Sequence, residues 1–153
     1  RRERIARKRE FGELVGKHFS KDPLLRPLLQ SYGASIQDPL NELVHLYEIR
    51  DALSTKFSGK KSACAALAFS YSDWDTLGRL CNYEPLRQGR HRGQKGSLLR
   101  EATEDELREA RRIARQMIKA YVGYLDAHDR SGSVPQDPLP ERERGEEGRK
   151  AGD

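Results

Sequence analysis

The chain has little of what marks most functional classes outright. Its 153 residues hold two cysteines, one methionine and one tryptophan. Cys64 and Cys81 lack the paired spacing of a zinc site or a disulfide framework. Both sit in apolar-periodic stretches, so both are expected as buried thiols. No apolar run approaches the roughly 18 residues of a membrane span, and no stretch reads as a signal peptide. A membrane partner is therefore not expected, and a cytoplasmic location is. No segment alternates apolar and polar side chains long enough to make a strand. Without a strand there is none for a Gly-rich nucleotide loop to follow, and no serine or cysteine nucleophile motif is visible. His, Cys and carboxylates do not fall at ligand spacing, so neither a metal nor a cofactor is expected.

What the chain does have is charge. Asp, Glu, Lys and Arg make up 35% of it, above the roughly 25% usual for soluble domains. From Asp129 onward, prolines, glycines and mixed charges leave almost no apolar side chains, and such a composition cannot offset the entropy of ordering. Residues 129–153 are expected as an unstructured tail. That tail holds seven acidic and five basic residues while the whole chain carries +5, so the remainder stands near +7. A basic body is drawn towards nucleic acid, acidic proteins or anionic surfaces. The chain opens on Arg1, so an upstream domain is an expected neighbour.

Apolar spacing predicts an all-α bundle of five to six helices. Residues 1–20 read as a basic N-terminal helix that frays at its start, and 21–128 as the bundle. Asp22-Pro23 and Asp38-Pro39 both read as helix starts, with Gly33 and Gly59 as stops. Ser72 reads as the cap of a helix carrying Trp74 and Leu77. Thr103-Glu104-Asp105-Glu106 is a capping box before the strongest stripe of the chain. One core is expected to hold Leu43, Tyr47, Leu67, Trp74, Leu77, Ile113, Met117 and Tyr121.

Within residues 60–82, small Cys64 and Ala68 fall at the tight positions of a helix-turn-helix. Asp73 and Asp75, however, occupy the first turn of the would-be reading helix, where carboxylates repel a DNA backbone. His18 and His45 lie beside apolar positions and read as packed histidines. His128 falls at a helix end, where a cation is electrostatically favoured.

The segment 83–102 breaks the helical pattern with Pro85 and three glycines. Between Arg87 and Gly96 it carries four cations and His91 with no acidic residue, and a strong helix follows. Glycines admit close backbone approach, and guanidinium forks match phosphate oxygens. Arg79, Arg87, Arg90, Arg92, Lys95 and Arg100 are therefore the expected nucleic-acid contacts. The alternative is a solvated loop.

The series Arg79-Leu80-Cys81-Asn82 and then Arg90-His91-Arg92-Gly93, ahead of a long helix, resembles the Arg-Asn and His-Gly signature of HEPN domains. These are small helical bundles of bacterial defence and toxin systems. The resemblance implies a dimer and metal-independent cleavage of RNA through its own 2′-hydroxyl. Three residues separate Arg87 from His91 and eleven separate Arg79 from it, and neither is the family's spacing. For an enzyme, His91 is the expected acid or base, Arg87 or Arg90 the phosphate stabiliser and Asn82 the orienting group. The expected function is nucleic-acid binding, RNA favoured. The alternatives are a protein-interaction or dimerisation module meeting an acidic partner, and a DNA-binding helix-turn-helix.

Overall fold

The computed structural model describes residues 1–95 and 98–132, with Lys95 described in its backbone alone. Within them the chain forms seven α-helices, in the order α1 (Arg2–Phe19), α2 (Leu25–Gln37), α3 (Glu42–Lys56), α4 (Lys60–Leu67), α5 (Tyr71–Gly78), α6 (Arg92–Lys95) and α7 (Glu104–Arg130). A 3-10 turn, Pro39–Asn41, precedes α3, and a π-helical stretch, Arg79–Tyr83, extends α5. The all-α class is the expected one. The extra helix is α6, which lies inside the segment read as loop. No strand occurs among the described residues, only an isolated bridge between Leu86 and Arg100.

The fold is organised by α7. Its capping box is complete, with Thr103 Oγ1 accepting from the Glu106 N–H and the Glu106 carboxylate accepting from the Thr103 N–H. Helices α1 to α5 all pack on it. Its stripe of Ala110, Ile113, Ala114, Met117, Ile118, Tyr121 and Val122 is buried, together with Leu25, Leu28, Leu43, Leu46, Ile49, Leu53, Leu67, Trp74 and Leu77. All eight expected core residues belong to this cluster, Tyr47 as a half-buried member. The Tyr121 hydroxyl donates to the Asp22 carboxylate at 3.0 Å, tying the start of α2 to the middle of α7.

Several boundaries differ from the sequence reading for local reasons. Asp22 does cap, its carboxylate accepting from Leu24 and Leu25 N–H groups, but regular helix begins only at Leu25. Gly33 does not stop α2, which runs on to Gln37. Asp38 opens a 3-10 turn rather than an α-helix, and its carboxylate bonds the side chains of Asn41 and His45. The cap of α5 is Ser70 rather than Ser72, with Ser70 Oγ accepting from the Asp73 N–H. The tail does not begin at Asp129. Helix α7 continues to Arg130, because Lys17 of α1 bridges Asp126 and Asp129 at 2.9 and 2.8 Å. Residues 133–153, expected as tail, lie outside the described residues.

Two further features set up the site. In α1 every side chain from Arg1 to Glu10 is exposed, whereas Phe11, Leu14 and Val15 pack on the core and His18 is buried. The first half of α1 is thus an arm, and only the second half is docked. The α4–α5 corner turns at Ala68, which takes the left-handed conformation (φ 48°, ψ 44°) where a glycine is usual. Asp73 and Asp75 are paired there with Arg112 and Lys60.

Candidate nucleic-acid interface

The segment after the π-helical stretch is a folded cap in its described residues. The Arg87 N–H donates to the Arg100 carbonyl and the Arg100 N–H to the Pro85 carbonyl, each at 2.9 Å. Leu86 is fully buried. The Gln88 amide is buried as well, accepting from the Ala102 N–H and donating to Glu101 at 2.7 Å. Gly89 suits this path, since a Cβ there would crowd the Cys81 carbonyl oxygen at 3.1 Å and that of Leu86 at 3.2 Å. The Arg90 N–H then donates to the Cys81 carbonyl at 2.7 Å, closing the cap over Cys81. Burial pushes the Cys81 thiol up to about 12, with the Arg50 and Arg90 guanidiniums pulling the other way.

The expected contact residues sit on this cap with partners of their own. Arg79 pairs with Glu84 at 2.8 Å and Arg87 with Glu101 at 3.3 Å. Arg100 forks onto Glu106 at 2.7 and 2.8 Å. That fork is the main cause of a Glu106 carboxyl lowered to about 2. Arg92 donates to the carbonyls of Leu40 and Arg87 and to Asn41 Oδ1, clipping α6 to the α2–α3 connection. Arg90 lies 4.2 Å from the centre of the Tyr47 ring and donates to Asn82 Oδ1 at 3.4 Å. Asn82 is therefore brought to Arg90, while Arg87 faces Glu101. His91 is exposed, with a left-handed backbone (φ 58°). The Lys95 side chain, Gly96 and Ser97 lie outside the described residues. A cleft of about 270 Å³ beside the cap is lined by Leu40, Arg87, Gln88, Arg92, Leu99 and Glu101.

The remaining histidines are engaged structurally. His18 stands 3.5 Å from Asp126, His45 bonds Asp38, and His128 bonds the Tyr124 carbonyl. Among the described residues no group of three His, Cys, Asp or Glu side chains could hold a metal ion. No described helix is long and apolar enough to cross a membrane.

Two groups went unread in the sequence as contact residues. The arm cations Arg1, Arg2, Arg4, Arg7 and Lys8 are exposed and, among the described residues, have no ion-pair partner. Their signal was present as a run of basic residues in a helix expected to fray at its start; the sequence did not show that this half of α1 is regular helix from Arg2 and yet undocked. Arg50 is the other. Its Nε donates to the Trp74 carbonyl at 3.1 Å and its guanidinium stands 5.3 Å from the Trp74 ring centre and 5.4 Å from that of Tyr47. The three-residue step from Tyr47 to Arg50 on α3 was legible, but the contact with Trp74 is tertiary. Compared with protein-family models, with curated proteins and with solved structures, the chain matches none.

Proposed function

We propose that the chain is a nucleic-acid-binding helical domain, with RNA the favoured polymer, that meets the sugar-phosphate backbone through the α1 arm. The observation that carries this reading is the contrast in pairing. Arg79, Arg87 and Arg100 are neutralised by their own carboxylates, whereas five exposed cations of the arm have no ion-pair partner among the described residues. Unpaired cations in a row displace counterions when they meet phosphates, which is the main source of affinity for such polymers. Exposed aromatic surface favours RNA over duplex DNA: the Tyr83 and Tyr71 rings are 76% and 50% exposed, the latter with Lys60 4.9 Å from its centre, and exposed rings stack unpaired bases. The test is single-stranded RNA affinity against salt. Replacing Arg4, Arg7 and Lys8 together by alanine should flatten the slope by about two, at roughly 0.7 per lost phosphate contact. An unchanged slope and affinity would transfer the chain to the protein-interaction module.

A second reading rests on His91. A non-glycine residue at positive φ carries backbone strain, and strain gathers at functional sites. In this reading His91 moves the proton as an RNA 2′-hydroxyl attacks the adjacent phosphorus and the 5′-oxygen leaves. Arg90, oriented by Asn82, or Arg87 holds the phosphate. Cleavage should then survive a chelator, leave a cyclic phosphate, spare DNA and vanish in His91→Ala with binding intact. Intact RNA after incubation with wild-type protein over several sequences would leave binding alone.

A further inference from the structure

Arg50 and Arg90 come from elements forty residues apart in sequence and meet the same Tyr47 ring. Both are half-buried, and among the described residues neither has a carboxylate partner. Partly buried charge without a counter-charge is costly, so two such guanidiniums beside one ring leave an unmet demand for negative charge. Gly78 deepens the arrangement. A Cβ there would stand 3.0 Å from the Arg50 guanidinium, so the glycine makes room for it.

Few of the available N–H groups are used internally. Arg50 donates to the Trp74 carbonyl and the Tyr47 hydroxyl, and Arg90 to Asn82 Oδ1. Among the described residues the only buried side-chain nitrogen or oxygen without a hydrogen-bond partner is His18 Nε2. Arg50 Nη2 and the Nε and Nη2 of Arg90 have no acceptor among the described residues and are not buried, so each touches solvent.

We propose that Arg50 and Arg90, set by Tyr47 and Asn82, form a binding site for a phosphate dianion. A carboxylate carries one charge and is satisfied by one fork. A terminal or inorganic phosphate carries about two charges near neutrality and three acceptor oxygens, which matches two guanidiniums. The source is either the free anion or the terminal phosphate of a nucleotide or RNA end.

Trp74, the single tryptophan of the chain, reports on the site because Arg50 lies against its ring. Inorganic phosphate, titrated at constant ionic strength with chloride, should shift Trp74 emission saturably and raise the melting temperature by mass action. Arg90→Gln should weaken the apparent affinity about tenfold to a hundredfold, the loss of one charge-assisted contact, and Arg50→Lys should weaken it as well. Arg90 lies outside the helices, so Arg90→Gln remains decisive even where Arg50→Lys fails to fold. No saturable response in the wild type, or an equal response in Arg90→Gln, overturns the proposal. A response to 5′-AMP and to a 5′-phosphorylated oligonucleotide but not its 5′-hydroxyl form assigns the terminal phosphate; a response to inorganic phosphate alone assigns the free anion. The phosphate titration uses no RNA, so it stands or falls separately from the RNA reading.

Discussion

The arm and the cap have nearly the same complement of cations, six between Arg1 and Arg9 and five between Arg87 and Arg100, yet they are opposite surfaces physically. In the cap, Glu101 and Glu106 come back through the fold to neutralise Arg87 and Arg100, two of those five, as Glu84 does the neighbouring Arg79, while Arg90 and Arg92 are spent on amide and carbonyl oxygens. Among the described residues the only arm cation with an ion-pair partner is Arg9, held by Glu13 of the docked half. The comparison teaches that a count of like charges along a chain says little about the field it presents. What decides is which carboxylates the tertiary structure returns to it.

The largest expected effect separates the two regions by stability. Leu86→Ala should cost about 2–5 kcal/mol, since the side chain is fully buried under the cap and leaves a cavity. Ile5→Ala in the arm, where the side chain is 59% exposed, should stay within about 0.5 kcal/mol. Urea denaturation midpoints measure both, and a comparable loss at Ile5 would mean that the arm is docked in solution.

Next in size is the binding contrast. Arg87→Ala with Arg100→Ala should move the RNA salt slope by less than one unit, because both cations are already neutralised, against about two for the arm triple variant. Filter-binding or anisotropy titrations at several salt concentrations decide it, and a larger effect from the cap pair would invert the assignment of surfaces.

A smaller effect concerns Glu106, whose folded carboxyl is lowered to about 2 chiefly by Arg100. A depressed folded value stabilises above the unfolded value near 4.5 and is lost as pH falls towards 2. Glu106→Gln keeps the capping geometry and loses the ion pair, so it should cost about 1 kcal/mol at pH 7. That difference should shrink steadily between pH 4.5 and 2 in paired melting curves. A constant difference would place the cost elsewhere. The smallest effect belongs to the arm's own pair. Glu13→Ala should change stability by less than about 0.5 kcal/mol, because Arg9 and Glu13 are 82% and 67% exposed.

What could be read from the sequence followed the range of the interactions involved. The Thr103–Glu106 box and the α7 stripe are local; the box stood in the sequence in full, and the stripe did apart from Ile118 and Val122 on its flank. Gly33 was misread because a glycine stops a helix only where the backbone turns left-handed; here the helix runs on through it to Gln37, and a side chain at that position would meet only open space. Pro85 and the glycines rightly marked an interruption of helix. They could not show that Leu86 and Gln88 are buried, since the groups that bury them are Cys81 behind and Arg100 to Ala102 ahead. Arg50 was invisible for the same reason, its partners Trp74 and Arg90 being remote in sequence.

The closure of the cap over Cys81 makes that cysteine a clock. Only a thiolate reacts with an alkylating reagent, and at full burial with its thiol raised to about 12, Cys81 offers almost none near neutral pH. Alkylation must then wait for an opening that exposes it, and the Arg90 N–H bond to the Cys81 carbonyl makes the Leu86–Arg90 backbone the segment whose lifting is tested. When reclosing outruns the reagent, the labelling rate divided by that of a model thiol is the equilibrium constant for opening. The comparison of arm and cap thereby acquires a time axis: variants of the arm should leave the rate alone, whereas Leu86→Ala should quicken it by as much as it loosens the cap.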